Sequence, residues 1–157
     1  NSQLMAEGYG GVAGSGGKTI SAWIQISANG RRAICGWGST GGPGNRFAWY
    51  LDGGKLELAV ISGQAITGET PVNDGLWHHV VLVFPDGSND VGDAVFYVDS
   101  QLESTTGGGQ SVSTHCDMNV TIGDSIGSGS WKGRIDDLRI YDYGLTSAEV
   151  LALFNEG

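Results

Sequence analysis

The sequence predicts an all-β protein: two packed antiparallel sheets with one short helix near the C-terminal end. Three observations carry this expectation. Short apolar runs of strand length recur along the chain between turn-forming stretches, and glycine alone supplies 28 of the 157 residues. Residues 55–61 set Leu56, Leu58 and Val60 against Lys55, Glu57 and Ala59, the two-residue period of a strand with one buried face. Thr146 opens a Thr-Ser-Ala-Glu capping box with Glu149 at its third helical position.

Taken in order, strands are expected at 19–26 (TISAWIQI), 32–37 (RAICGW), 46–51 (RFAWYL), 55–61 (KLELAVI), 77–84 (WHHVVLVF), 94–99 (AVFYVD), 118–123 (MNVTIG) and 133–141 (GRIDDLRIY). The run 77–84 is apolar on both faces, which places it centrally in a sheet. "LDGGK" at 51–55 reads as a tight hairpin, because its glycines tolerate positive φ. "YVDSQ" at 97–101 is a second turn built on Asp99. Residues 106–114 and 124–130 read as loops. The helix has Val150, Leu151 and Phe154 as its apolar face and Gly157 as its stop. No repeat and no linker divides the chain, so residues 1–157 are read as one domain, long enough to bury its own core.

Charge narrows the partners. Eight Lys and Arg stand against 17 Asp and Glu, a formal net charge of −9. That disfavours nucleic acid, anionic membranes and heavily charged acidic glycans. No stretch approaches the roughly 20 apolar residues of a membrane span. The start at Asn1 shows no signal peptide, as expected of a mature or excised segment. An acidic, glycine-rich, lysine-poor β-protein fits a secreted, extracellular setting. There Cys35 and Cys116 can form a disulfide; two buried free thiols are the alternative.

Five fragments then fall in order: "TISAWIQI", "DGLWHHVVLVF", "FYVDS", "VTIGDS" and "GRIDDLRIYDYGLTSAEV". Together they resemble a laminin-G-like domain of the concanavalin-A-like jelly-roll superfamily, from about Gly8 to Leu153. The resemblance implies a jelly-roll β-sandwich with Trp23, Trp77, Val81, Val83, Ile135 and Ile140 buried between or beneath the sheets. The usual Asp-Gly turn of such domains is Asp99-Ser100 here. The superfamily includes lectins, glycan-binding modules, adhesion domains, glycoside hydrolases and polysaccharide lyases, so the site must be argued separately.

Nothing in the sequence assembles a catalytic centre of these kinds, and the chain is read as non-enzymatic. The Glu-x-Asp-x-x-Glu strand of the related hydrolases does not occur. Asp136 and Asp137 are neighbours and would point to opposite faces of a regular strand, unless a bulge intervenes. His78 and His79 lack the Tyr and Arg strand of the related lyases, and His79 reads as a hydrogen-bonded core histidine. For the two aspartates a structural Ca²⁺ and a metal-free hydrogen-bonding role stay open. By resemblance the metal would join Asp136 to Glu7 and the carbonyls of the N-terminal loop. Asp86, Ser88, Asp90 and Asp93 have part of a calcium-loop spacing but read as a solvated hairpin loop.

A glycan site needs exposed aromatic faces and orienting polar groups. Trp37, Trp49 and Trp131 lie outside the clearest core motifs, two of them bordered by glycine-rich loops. With Asn45 and Arg46 they are the expected platform, although each can also close the edge of the core. The sequence thus points to a non-catalytic carbohydrate-binding module for a polysaccharide or oligosaccharide. It would be monomeric as an isolated domain, without membrane insertion, and part of a larger secreted polysaccharide-degrading or surface protein. A calcium-dependent protein-interaction or adhesion module is the alternative.

Overall fold

The computed structural model describes residues 4–39, 41–42, 44–61, 64–124 and 129–157. In chain order the strands are β1 (Leu4–Ala6), β2 (Lys18–Ile26), β3 (Arg32–Gly38), β4 (Arg46–Asp52), β5 (Lys55–Ile61), β6 (Gln64–Thr67), β7 (Trp77–Phe84), β8 (Val95–Val98), β9 (Gln101–Leu102), β10 (Thr106–Gly107), β11 (Val120–Ile122) and β12 (Gly133–Tyr141). Among the described residues α1 (Ser147–Glu156) is the only α-helix, and a short 3-10 turn spans Val91–Asp93. The strands form two antiparallel sheets, one of seven in the order β1-β11-β3-β4-β5-β6-β10 and one of five in the order β12-β2-β7-β8-β9. The fold is the expected two-sheet β-sandwich. All eight expected strands form, with ends shifted by at most two residues, and β7 lies centrally between β2 and β8.

Alternation builds the core between the sheets. Ile20, Ala22, Ile24 and Ile26 of β2 and Val80, Leu82 and Phe84 of β7 meet Phe47, Trp49, Leu51, Leu56 and Leu58 of the facing sheet. The strands missed in the sequence are all short: β1, β6, β9 and β10 have two to four residues each. Such pieces pair along an edge or extend a hairpin and carry too little periodicity to read. β10 falls inside the expected loop 106–114, pairing Thr106 and Gly107 with β6.

Turn chemistry follows the backbone. Gly53 and Gly54 take positive φ (57° and 86°) between β4 and β5, and Asp99 and Ser100 do the same (49° and 67°) between β8 and β9. Two positive φ values in a two-residue turn match the right-handed twist of the flanking strands. At α1 the capping box forms as expected, with the Thr146 hydroxyl accepting from the Glu149 amide and the Glu149 carboxylate accepting from the Thr146 amide. Val150 is fully buried, and with Leu145 and Leu153 it covers Val81, Val83 and Tyr97 on the outer face of the five-stranded sheet. That face is therefore a second, smaller core at one end. Its other end lies beyond the helix.

Candidate functional site

Outward-facing residues of three neighbouring strands define the uncovered end. With Ile24 and Ile26 directed inward, Trp23 and Gln25 of β2 face out. The register sets Trp23 opposite His79 of β7 on one side and Asp136 of β12 on the other. Gln25 stands opposite Trp77 and Arg134 in the same way. Phe154 of α1 stacks on Trp23 with ring centroids 5.7 Å apart and lies 6.0 Å from His79. Past Phe154 a cleft of about 380 Å³ opens, lined by Trp23, Trp77, Asp136, Asp137 and Gly157. Trp77 is 39% exposed, and the buried Trp23 indole Nε1–H has no partner among the described residues.

A β-bulge brings both aspartates into this cleft. Pairing of β12 with β2 slips between Asp136 and Arg139, and Asp137 adopts a left-handed backbone at φ 47°. The Asp136 carboxylate accepts from the Asp137 amide at 2.8 Å. Asp137 receives two hydrogen bonds from Arg139, through Nε and Nη2, each at 2.9 Å. The remaining Arg139 nitrogen reaches Glu156 at 2.8 Å, tying α1 to the bulge. These bonds to Asp137 and Glu156 hold the Arg139 guanidinium above its ordinary pKa. The alternation expected of adjacent residues fails here for a reason visible in the sequence. The inward positions Ile135, Leu138 and Ile140 are spaced three and then two apart, so one extra residue sits between the first pair.

The cleft thus offers aromatic surface beside carboxylate acceptors, the chemistry that a sugar with one apolar C–H face and ring hydroxyls requires. Trp23 and Trp77 correct the sequence reading, which assigned both to the core. They occupy the outer face of the sheet, and only Trp23 is half-covered, by Phe154. The histidines differ from each other. Burial disfavours charge on His78, but hydrogen bonds to Asp99 at 2.8 Å and Asp74 at 3.1 Å outweigh it and hold its pKa above the ordinary value. Burial pushes His79 below it. Its buried Nδ1 has no partner among the described residues, so it is a core histidine without the expected ring hydrogen bond at that atom.

The expected platform does not assemble. Trp37 is 3% exposed, donates its indole N–H to the Val12 carbonyl at 3.1 Å and packs on Phe47; Trp49 is fully buried. Both project between the sheets because they share a strand face with Cys35 and with Phe47 and Leu51, so neither presents a ring to a ligand. Trp131 is half-buried against the same core. Asn45 and Arg46 are half-buried at the start of β4, away from the Trp23 and Trp77 cleft on the other sheet. The disulfide is also corrected: Cys35 and Cys116 are both free. Cys35 points into the core from β3, whereas Cys116 lies exposed in the loop before β11 and its thiol donates to the Gly11 carbonyl. Burial pushes the Cys35 thiol up to about 12.

Glu7 follows β1 on the seven-stranded sheet and Asp136 belongs to the five-stranded one. Among the described residues no group of three or more His, Cys, Asp or Glu side chains could hold a metal ion. Residues 123–127 (GDSIG) have the Gly-x-Ser-x-Gly spacing of a nucleophile elbow. Such an elbow needs a strand-to-helix turn; here β11 precedes the stretch, and among the described residues the next regular element after it is β12. Ser125 itself lies outside the described residues.

The profile of a laminin G-like family, described as the concanavalin A-like lectin/glucanases superfamily, matches residues 3–151. The chain belongs to that superfamily. No curated protein matches it. Among solved structures it is similar to a heptameric SAP-like pentraxin from Limulus polyphemus, at 19% identity and TM-score 0.66, covering 97% of this chain and 75% of that one. It is also similar to the CBM40 of a Ruminococcus gnavus IT-sialidase bound to α2,3-sialyllactose, at 15% identity and TM-score 0.67, covering 92% and 84%. A Bacteroides ovatus protein named only provisionally as carbohydrate-binding matches at 18% identity and TM-score 0.68; 96% of this chain aligns with 43% of that one. These likenesses establish the fold. Among the described residues no helix is long and apolar enough to cross a membrane.

Proposed function

We propose that the domain is a non-catalytic carbohydrate-binding module that seats its glycan in the cleft of Trp23, Trp77, Asp136 and Asp137. The observation that carries the reading is the union of exposed Trp77 with two aspartates in one cleft, in a superfamily of lectins and glucanases. The apolar face of a sugar ring lies on the Trp77 indole. Asp136 accepts hydrogen bonds from its hydroxyls. The carboxylates act as acceptors: Asp137 is committed to Arg139 and Asp136 to a backbone amide. Neighbours in the fold support a sugar ligand, since one was solved with sialyllactose and the name of another, a botulinum neurotoxin, describes its interaction with gangliosides. The module would serve a larger secreted protein that acts on, or is displayed near, polysaccharide.

Affinity electrophoresis through a panel of polysaccharides, with indole fluorescence on oligosaccharide addition, tests the reading. Trp77→Ala is expected to lower affinity at least about tenfold, the loss typical of a central aromatic contact. Its unfolding midpoint stays near wild type, because Trp77 is largely outside the core. Full affinity retained in both Trp77→Ala and Asp136→Asn would overturn the cleft as the site.

A further inference from the structure

Along the same sheet face the chemistry changes within one step of the ladder. The row next to Trp23 runs Trp77, Gln25, Arg134 across β7, β2 and β12. A second cleft of about 420 Å³ opens there, lined by Gln25, Ser27, Gly75, Lys132 and Arg134 among others. The Gln25 side-chain amide is fixed by donation to the Gly75 carbonyl at 3.0 Å. Lys132 and Arg134 are both exposed, and among the described residues no ion pair engages either one. Arg31 and Arg139, by contrast, are paired with Glu57 and with Asp137 and Glu156. In a chain of net charge −9, two unpaired cations lining one cleft are a local reversal of sign.

We propose that the two clefts form one site for an oligosaccharide in which a carboxylate-bearing sugar adjoins a neutral one. The inference rests on the carbohydrate reading above and adds the class of glycan. The neutral unit lies against Trp77 and Trp23, with its hydroxyls toward Asp136. The neighbouring unit places its carboxylate over Arg134 and Lys132, where a guanidinium can meet both oxygens. Arg134 and Asp136 are two residues apart on β12, about 7 Å at the rise of an extended strand. Opposite charges at that spacing select a chain that is acidic at one unit and neutral at the next. A chain with a charge on every unit would set one of them against Asp136, within the acidic field of the whole domain.

The test uses a panel of oligosaccharides alternating uronate and neutral units, each beside its carboxyl-reduced copy. The acidic member of a bound pair should bind at least tenfold more tightly at low salt, and this margin should shrink as salt is raised. The Lys132→Gln/Arg134→Gln variant should lose the margin while keeping the affinity for the reduced member. Trp77→Ala should weaken both members. Equal binding of the two members to wild type, or a margin that survives in the double variant, overturns the inference; if Trp77→Ala still abolishes binding, the cleft reading stands without it. No binding to any member of any pair overturns both.

Discussion

Lys18 is fully buried at the start of β2, the strand whose far end carries Trp23 and Gln25. Its ammonium donates to the Gly14 carbonyl at 2.8 Å and lies 5.3 and 5.5 Å from the ring centroids of Phe47 and Phe84. Burial lowers its pKa from 10.5 to about 8, against a smaller opposing influence of Cys116. The unfolded chain therefore holds this proton between pH 8 and 10.5 while the folded chain releases it, and stability rises with pH across that window. Below pH 8 both states are charged and the cost of burying the ammonium is fully present, about 3 kcal/mol. Between pH 7 and 9.5 about 2 kcal/mol of it is relieved. Cys35 acts in the opposite sense. Its thiol, pushed up to about 12, stays protonated in the fold while the unfolded thiol ionises, so it withdraws stability as pH rises above 9. Lys18→Met isolates the lysine, because both proteins share Cys35. Urea unfolding of the two proteins from pH 7 to 9.5 should show wild type gaining about 2 kcal/mol relative to Lys18→Met. A stability difference that stays constant over that range would refute the reasoning, since it would mean that the ammonium is not desolvated.

Ser100→Gly should stabilise the domain by about 1 kcal/mol in denaturant titration, because Ser100 holds a left-handed backbone (φ 67°) that glycine adopts without a Cβ clash. Trp49→Ala should cost about 3–5 kcal/mol in the same assay, the range for emptying an aromatic site in a packed core; a loss below 1 kcal/mol would place Trp49 at the surface. Thiol titration of the unreduced, denatured protein should find two thiols, and in the native protein Cys116 should react while Cys35 waits for unfolding.

Strands with strict alternation or a continuous apolar run were legible in the sequence because burial writes itself into every second residue. β5 and β7 illustrate the two cases. Which sheet face an aromatic occupies was not legible from a single strand. Trp49 and Trp77 each sit in an apolar run, yet Trp49 lies between the sheets and Trp77 outside them. For Trp77 the deciding fact is which part of the face α1 packs on: Val150 and Leu153 cover Val81 and Val83, whereas Trp77 is exposed. That boundary depends on a packing angle that sequence period does not encode. The same limit explains Cys35 and Cys116. Two cysteines in an acidic β-protein suggest a bond, but the inward face of β3 holds one sulfur away from the exposed loop that carries the other.

The bulge in β12 connects the extra residue to the site and can be removed by one deletion. Asp136 pairs with Trp23 and Arg139 with Ser21, so Ala22 faces two residues, Asp137 and Leu138. Without Asp137 the ladder closes in register: Leu138 falls opposite Ala22, and Ile135, Leu138 and Ile140 keep the inward face at a period of two. Deleting Asp137 removes a left-handed backbone and an exposed ion pair, neither of which the core needs. The variant is expected to fold with an unfolding midpoint close to wild type. It also removes the carboxylate that holds Arg139 between the bulge and Glu156 of α1, and flattens the wall of the cleft. Glycan affinity should fall to the level of Trp77→Ala. If the deletion instead unfolds the domain, the bulge supports the sandwich; Asp137→Asn, which keeps the backbone residue, then reports on the cleft alone. A folded deletion variant with undiminished affinity would show that Asp137 and its bulge serve neither the sugar nor the fold.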